Sequence, residues 1–512
     1  MSGPPRTNSR RPGNADSALA RHVMRGVCSR PAGVRLFAAH FHAATIAILL
    51  LAGCEVGPTY RRPELPAATQ FASQATSQPA VTSIAPPADW WKLFQDVELD
   101  HLIADANANN QNVRQAVARV DEARALARIA ASYLLPTVTL DPTFTRSHES
   151  GSRVNPLSGA RTPQITYNDW LVPFDLRYEV DVWGRLRRQF ESAAAQARAS
   201  QFDLGAVRLT IDADVAIYYI ALRSLDAQSA ILNGTVNAYK EQVRIVSVQL
   251  KNGLITETDL YQATAQLQAA LAQLRDTQRA RADEEHALAT LCGRAAPLFA
   301  VAANPLANPT PPVIPPGLPA QLLVRRPDVA EAEQNVIAAN AEVGVAVADF
   351  YPAFTLTGSA GFESASFTSI FDWQSKIASI GPSISLPIFE GGRLANNLDY
   401  QKAKRSEAAA AYVNQVLTAY GDVEDSLSDL HALSDEVGNL RQAVDASVGY
   451  RRVSNVQYQR GLVNYLIVID AERTLLSNQL TLAQTINQQM AASVHLIQAL
   501  GGGWTPPERS SP

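Results

Sequence analysis

The chain has 512 residues, of which 46% are hydrophobic and 18% are Asp, Glu, Lys or Arg. Soluble chains average about 25% charged residues, so this composition excludes a disordered or highly charged protein. The net charge of −4 becomes −10 without residues 1–53, which hold seven Arg and one Asp, and this acidity argues against a nucleic-acid partner.

The sequence also lacks the common signatures of enzymes and metal sites. Its three cysteines are too few for a disulfide framework, and its eight histidines are scattered without a metal-binding spacing. No nucleophile with a partnering base and no phosphate-binding loop is recognisable. The sequence therefore predicts neither catalysis nor a bound metal.

Residues 1–53 are predicted to be a lipoprotein signal peptide. Several arginines precede an apolar run at 43–52, which is too short to span a bilayer and has the length of a signal-peptide core. Leu-Ala-Gly precedes Cys54, and small residues directly before a cysteine resemble the bacterial lipobox. Cys54 is therefore predicted to carry a covalent lipid, and the alternative is an ordinary signal peptide with a chance cysteine. Met24 would give a leader of ordinary length and is a candidate for the true start.

Residues 54–96 are predicted to form a lipidated, extended arm on the protein surface. Several acyl chains, each adding about 0.8 kcal/mol per buried CH₂, would anchor this arm firmly. Glu55 follows the lipidation candidate. In similar lipoproteins an Asp at this position favours retention in the inner membrane, so Glu55 is compatible with sorting to the outer membrane.

Two long windows without proline, 174–296 and 388–505, predict long helices. Both are rich in Ala, Gln, Leu, Arg and Glu, which favour the helical state. Their apolar residues recur with a heptad-like period, which is typical of helices that supercoil against neighbours. Gly253 interrupts the first window and Gly461 interrupts the second, so each window predicts one long helix followed by a shorter one.

The lengths of these helices suggest how they are arranged. In the first half of the chain we expect helices over 98–132, 185–250 and 257–291, and in the second half a helix over 328–348. At 1.5 Å per residue, the helix over 185–250 is about 100 Å long. The two shorter helices of the first half together match that length, so we expect them to stack end to end beside it.

Two hairpins with alternating apolar and polar residues lie between the helices. The first covers 137–146 and 169–182, and the second covers about 354–362 and 380–388. Alternation over about 9–11 residues is typical of transmembrane β-barrels, although a half-buried sheet of a soluble domain has the same pattern.

Four strands cannot close into a barrel, and in lipid an open sheet edge leaves backbone groups unpaired. The chain is therefore predicted to associate with copies of itself. A dimer would supply eight strands and a trimer twelve, and counting strands excludes only the monomer.

The two halves of the sequence repeat each other at an offset of 208 residues. The corresponding segments are Gly184-Arg185 with Gly392-Arg393, and Gly253-Leu254-Ile255 with Gly461-Leu462-Val463. Self-similarity over so long a unit predicts a two-fold duplicated domain rather than a solenoid.

The predicted repeats cover 97–296 and 320–504. The segment that joins them, 297–319, contains eight prolines and cannot be helical or a central strand. We expect it to wrap the outside of the helices at mid-height. A flexible tail is predicted over 505–512.

Several short motifs, spread over residues 54–504, resemble one family when taken together and in order. They are Cys54-Glu55-Val56-Gly57-Pro58-Thr59-Tyr60 with Pro63, Trp90-Trp91, Leu323-Val324-Arg325-Arg326-Pro327-Asp328, Phe350-Tyr351-Pro352, Gly391-Gly392-Arg393 and Leu500-Gly501-Gly502-Gly503-Trp504. The chain resembles the TolC-like outer-membrane factors, in the efflux lipoprotein branch that is similar to OprM and NodT-type proteins.

This resemblance implies a mixed α+β membrane protein. The expected assembly is a homotrimer whose twelve-stranded transmembrane β-barrel, four strands from each chain, is continued by a long periplasmic α-helical barrel. It would be the passive exit duct of a tripartite efflux system in the Gram-negative outer membrane, docking to a periplasmic adaptor and an inner-membrane transporter of the RND type. No cofactor is expected apart from the lipid on Cys54.

Two other functions remain open from the residues alone. One is an outer-membrane duct for type I protein secretion, which shares the fold. The other is a trimeric coiled-coil adhesin or structural lipoprotein, which would pass no ions.

The resemblance places the adaptor-contacting tips at the two glycine turns. The expected contact residues are Gly253 and Leu254 in the first turn and Gly461 and Leu462 in the second. The alternative is that each glycine only ends a helix in a left-handed conformation.

The resemblance also places a periplasmic gate on the helix after Gly461. Leu466 and Asp470 are expected to line the closed aperture, with Arg473 and Tyr458 as candidate latch partners. A three-fold ring of Asp470 would attract cations and repel anions. The alternative is a solvated acidic residue on a helix face.

Overall fold

The computed structural model describes residues 55–65, 71–72, 86–152, 164–305, 310–314 and 325–505. The predicted signal peptide, the lipidation candidate Cys54 and most of the predicted tail lie outside these residues. The described α-helices are α1 (Val97–Asn109), α2 (Gln111–Ser132), α3 (Arg185–Lys251), α4 (Glu257–Leu291), α5 (Pro327–Ala348), α6 (Arg393–Gln459) and α7 (Tyr465–Ala499). The described strands are β1 (Thr137–Leu140), β2 (Thr143–His148), β3 (Thr166–Val180), β4 (Ala353–Ser364) and β5 (Lys376–Ser385).

The predicted long helices are confirmed. Helices α3 and α6 have 67 residues each, and α4 and α7 have 35 residues each. Gly184 and Gly392, with φ of +81° and +85°, precede the two long helices, a backbone conformation that glycine adopts without steric cost. Helices α2, α3 and α4 of the first half therefore have the same lengths as α5, α6 and α7 of the second half, and α1 precedes them in the first half.

The single helix expected over 98–132 is instead two helices, α1 and α2. The side chain of Asn110 accepts hydrogen bonds from the backbone N–H groups of Asn112 and Val113, at 2.8 and 3.2 Å, and so caps α2. Its own Nδ2 donates to the carbonyl of Leu291, the last residue of α4, at 2.8 Å. This amide thus joins the end of α4 to the start of α2, which agrees with the expected end-to-end stacking of the short helices.

All strands belong to one antiparallel sheet in the order β1, β3, β4, β5. Strand β2 also pairs with β3, in the same register as β1, so β1 and β2 are one strand interrupted at Asp141-Pro142. The two predicted hairpins are therefore confirmed, and the pairing of β3 with β4 joins them into a four-stranded sheet.

The register puts apolar residues on one face across the whole sheet. Phe174 lies between Leu140 of β1 and Ala360 of β4, and Ala360 pairs with Ala378 of β5. The same face carries Trp170, Val172, Leu176, Phe354, Leu356, Phe362, Ile380 and Ile384. Much of it is exposed in a single chain, including 78% of Ile380. The opposite face carries mainly Thr, Ser and acidic residues.

The helices form a wall whose order follows that of the strands. Helix α3 packs against α2, α4, α5 and α7, and α6 packs against α5 and α7. Across the wall the order is therefore α2 with α4, then α3, then α5 with α7, then α6. Among the described residues, no helix is both long and apolar enough to cross a membrane.

The core lies at mid-height, where α1 packs against α3. Its largest buried side chains include Trp90, Leu99, Ile103, Tyr219 and Leu222. Trp90 belongs to the predicted arm, so the end of that arm is part of the core. Phe71 is also only 2% exposed, and it packs against α6 and α7.

The described part of the proline-rich segment is held by buried charges. The carboxylate of Asp226 forms ion pairs with the guanidinium groups of Arg223 and Arg281, with N–O distances of 3.1 and 2.6 Å. The two guanidinium groups donate to the carbonyls of residues 302 and 301, and Glu285 accepts from the Val301 N–H at 2.6 Å. Each charge is both paired and hydrogen-bonded, which is the condition under which buried charges are tolerated.

A buried carboxyl on α3 makes the stability of the helical wall depend on pH. Asp212 is 8% exposed and accepts a 2.6 Å hydrogen bond from Asn107, and burial raises its pKa to about 7. Since the folded-state pKa lies above the unfolded value, the folded state binds the proton more tightly. Asp212 therefore destabilises the fold increasingly as pH rises from about 4 to about 7.

We predict that Asp212→Asn stabilises the protein at pH 8 by about 3 kcal/mol and has little effect at pH 4. The amide keeps the acceptor for Asn107 and carries no charge to desolvate. Urea unfolding followed by circular dichroism at both pH values measures the difference. Asp445→Asn, at an exposed position of α6, is the control, and an equal effect of Asp212→Asn at both pH values contradicts the prediction.

Candidate functional site

The turn between α3 and α4 presents an apolar side chain on a rigid backbone. Gly253 has φ of +73°, and its N–H donates to the carbonyl of Leu250 at 2.9 Å. The N–H of Leu254 donates to the carbonyl of Gln249 at 3.0 Å, which completes a Schellman motif. Leu254 is 72% exposed. Thr256 and Asp259 then form a capping box that starts α4.

The turn between α6 and α7 has the same geometry. Gly461 has φ of +72° and donates to the carbonyl of Tyr458 at 2.8 Å, and Leu462 donates to the carbonyl of Gln457 at 2.9 Å. Leu462 is 69% exposed. A Cβ added at either turn glycine would meet no atom within 4 Å. The four predicted tip residues thus lie on two open turns, each displaying one leucine.

The expected gate residues lie on the first turns of α7. Leu466 is 52% exposed. The carboxylate of Asp470 accepts a hydrogen bond of 3.1 Å from the hydroxyl of Tyr450 on α6. This hydrogen bond ties α7 to α6 beside the exposed Leu466.

The structure does not bring the candidate latch partners to Asp470. Tyr458 donates to Gln249 on α3 at 3.4 Å, and its ring lies 5.5 Å from that of Tyr465. Arg473 lines a groove between α4 and α7, and within the described residues of one chain it makes no ion pair with Asp470. Tyr450 was not predicted. Tyr450 lies eleven residues before Gly461, and Asp470 lies nine residues after it. Residues at similar distances on either side of a turn between two helices face each other, so this spacing could have indicated the pair.

Next to the candidate gate residues, a buried hydroxyl on α3 has no partner among the described residues. Tyr239 is 7% exposed, and within the described part of the chain its hydroxyl forms no hydrogen bond. Burial and the nearby carboxylate of Glu472 raise the pKa of Tyr239 to about 12, and Arg473 lowers it. Burial also raises the pKa of Glu472. An unpaired buried hydroxyl costs about 1–3 kcal/mol, so the α3–α7 contact is locally frustrated.

Two other chemical possibilities can be judged from the same residues. Within the described ranges, no group of three His, Cys, Asp or Glu side chains is placed to hold a metal ion. Cys292 is fully buried, and burial raises the pKa of its thiol to about 11, so the reactive thiolate is suppressed. Three features are therefore available for function. They are the two exposed turns, the face of α7 that carries Leu466 and Asp470, and the sheet with one apolar and one polar face.

Comparison with known proteins identifies this combination. A family model described as outer membrane efflux protein matches residues 102–294 and 318–502. The chain belongs to the outer membrane efflux protein family. This confirms the predicted family, and it places the protein in the outer membrane as a channel component of an efflux system.

Two curated relatives cover nearly the whole chain. The toluene efflux pump outer membrane protein TtgF of Pseudomonas putida is 32% identical over 472 residues, which are 90% of this chain and 97% of the relative. The outer membrane protein OprJ of Pseudomonas aeruginosa is 30% identical over 464 residues, covering 90% of this chain and 95% of OprJ.

A solved structure agrees with the fold. The outer-membrane channel OprN superposes with a TM-score of 0.82 at 30% sequence identity, covering 88% of this chain and all of OprN. The chain is therefore similar to an outer-membrane channel over its helices and its sheet together.

We predict opposite effects of two tyrosine substitutions on α3. Tyr239→Phe removes the unpaired hydroxyl and stabilises the protein by about 1 kcal/mol. Tyr219→Phe, at a buried position of the same helix, removes a hydroxyl that donates to Asp96 at 2.8 Å and destabilises the protein by at least a similar amount. Urea unfolding of both variants measures the two shifts, and destabilisation by Tyr239→Phe would show that its hydroxyl has a partner.

Proposed function

We propose that three copies of this chain form a passive duct across the outer membrane and the periplasm. The observation that supports it is the sheet, because both of its edges, β1 with β2 on one side and β5 on the other, are unpaired among the described residues. In lipid every backbone N–H and C=O must be paired, so the sheet has to continue into a neighbouring copy. The helical wall ends at the corresponding places, with α2 and α4 on one side and α6 on the other.

The width of the barrel favours a trimer over a dimer. An eight-stranded barrel has an interior that side chains nearly fill, whereas twelve strands enclose a wider lumen. The apolar face, with Phe174 and Ile380, would face lipid. The polar face, with Thr357, Ser359 and Asp175, would line the lumen. We propose a twelve-stranded barrel continued by an α-helical barrel, built from a two-fold internal repeat.

The partners follow from the proposed orientation. The turns at Gly253 and Gly461 lie at the opposite ends of α3 and α6 from the sheet and would point into the periplasm. We propose that they contact a periplasmic adaptor, which links the duct to an inner-membrane transporter of the RND type. The chain itself would carry out no catalysis and need no cofactor, apart from the lipid proposed on Cys54.

The cargo is proposed to be drugs or other small solutes. TtgF is a component of a toluene efflux pump, which supports a small, weakly polar cargo for this chain as well. TtgF is named as an efflux-pump component, and no observation on the described residues favours type I protein secretion or an adhesin.

We predict that weakening the contact between α6 and α7 opens the duct. Leu466→Ala and Asp470→Ala should each raise the conductance in planar bilayers several-fold. Tyr450→Phe should act in the same direction, because it removes the hydrogen bond of about 1 kcal/mol that Asp470 accepts. Asp445→Ala is the control for the loss of an exposed acidic residue. Unchanged conductance in the Leu466, Asp470 and Tyr450 variants contradicts the proposal that this contact closes the duct.

A bulky residue at a tip should impair export without unfolding the protein. Gly461→Val places a β-branched residue at φ of +72°, which costs about 1–2 kcal/mol locally and distorts the turn that displays Leu462. Gly449→Val, within α6 and with open space around its Cβ, is the matched control. We expect drug susceptibility to rise only in the Gly461 variant at equal protein level, and equal susceptibility in both variants argues against adaptor contact there.

A further inference from the structure

Two separate apolar clusters pack α3 against its neighbours between mid-height and the turns. The first cluster reaches Tyr239 on α3, and the second includes Val246 on the same helix together with Tyr465 on α7. Gln242 of α3 and Glu472 of α7 lie in the interval between the two clusters. The apolar packing of the helical wall is therefore interrupted by polar side chains at this level.

A cavity of about 250 Å³ occupies this interval, and four helices contribute to its walls. The side chains that line it include Tyr239 and Gln242 of α3, Gln266 of α4, Asn455 of α6, and Tyr465 and Glu472 of α7. On α7, Tyr465, Val468 and Glu472 follow each other at intervals of three and four residues, so they share one face of the helix. Cavities that bind drug-sized molecules measure about 300–1,000 Å³, so this cavity suits a smaller molecule.

The cavity contains a carboxylate without a paired cation. Within the described residues Glu472 forms no ion pair, and burial raises its pKa although Arg451 of α6 lies near enough to lower it. Glu241 lines the same cavity, but it is exposed and pairs with Arg244 at 2.6 Å. A partly desolvated carboxylate interacts with a cation more strongly than a fully solvated one does. Glu472 is therefore the group in this cavity that is open to an added positive charge.

The other walls suit the apolar body of such a cation. Tyr239 and Tyr465 are each 7% exposed, and Val468 is 3% exposed. The face of a tyrosine ring attracts organic and side-chain cations through its quadrupole. A metal ion would need several oxygen or nitrogen ligands, and no group of three His, Cys, Asp or Glu side chains is placed for one within the described ranges. One carboxylate beside aromatic and aliphatic walls fits an organic cation instead.

We propose that this cavity binds a small organic ammonium ion, with Glu472 pairing with its charge and the rings of Tyr239 and Tyr465 enclosing its apolar body. Leu466 and Asp470 lie on α7 within two turns of Glu472. A ligand that contacts α3 and α7 together favours the arrangement in which these helices are packed. The bound cation therefore lowers the conductance of the duct. This consequence rests on the proposed function, whereas the binding itself does not.

Calorimetry of the purified full-length protein in detergent tests the site, with phenethylammonium chloride as the probe. 2-Phenylethanol has the same ring and chain length without the charge, so it measures binding that does not need a carboxylate. Glu472→Gln keeps the size of the side chain and removes its charge. Glu241→Gln is the matched control, because it removes a carboxylate of the same cavity that is already paired with Arg244.

We expect phenethylammonium to bind the parent and Glu241→Gln with equal affinity and to bind Glu472→Gln about tenfold more weakly. 2-Phenylethanol should bind all three proteins weakly and equally. Because Glu472→Gln removes a partly buried charge, we expect the variant to fold, which circular dichroism checks. Absence of phenethylammonium binding to the parent overturns the site, as does an affinity that is the same in the parent and in Glu472→Gln.

Conductance in planar bilayers separates the site from the duct. Phenethylammonium, at concentrations that saturate the site in calorimetry, should lower the conductance of the parent several-fold and leave that of Glu472→Gln unchanged. Binding that depends on Glu472 without a change in conductance overturns the regulatory role and leaves the cavity as a binding site. A parent that passes no current contradicts the proposed duct, and the calorimetric comparison of the variants still decides the site.

Discussion

The structure depends on a sheet that is apolar on one face and whose two edges are unpaired among the described residues. A single register carries apolar residues from Leu140 on β1 through Phe174 on β3 to Ala378 on β5. An exposed apolar face of this kind is stable only against lipid or another apolar surface, and unpaired edges are costly in lipid. We propose that neighbouring copies meet both requirements, and that the helical wall, with its matching order, extends the same closure away from the membrane.

The junction between sheet and helices is where the chain is most tightly determined. Gly184 and Gly392 turn each half from strand to long helix, and Gly57 and Gly344 let the arm cross α5 in backbone contact. The opposite ends of the long helices are the open turns at Gly253 and Gly461, and the Tyr239 hydroxyl between these turns and the core has no partner among the described residues. Close backbone packing at the sheet and an unsatisfied hydroxyl towards the turns fit the proposed duct, whose tips would move while its sheet stays fixed.

Much of this fold was predictable because it rests on local patterns. Proline-free heptads predicted a helix over 185–250, and α3 ends at Lys251. Period-2 alternation predicted the hairpins, but their union through β3 and β4 depends on pairing between distant strands. Sequence reasoning missed the break at Asn110, the burial of Phe71 and the Tyr450–Asp470 pair, since each depends on side chains that meet only after the helices have packed.

The number of chains in the purified, membrane-extracted particle tests the central claim most directly. Native mass spectrometry in detergent or lipid nanodiscs measures it without reference to partners or cargo. We expect three chains, each with its covalent lipid, in a particle that conducts ions. A single chain that stays soluble without detergent and passes no current contradicts the account, and a dimer contradicts the twelve-stranded barrel.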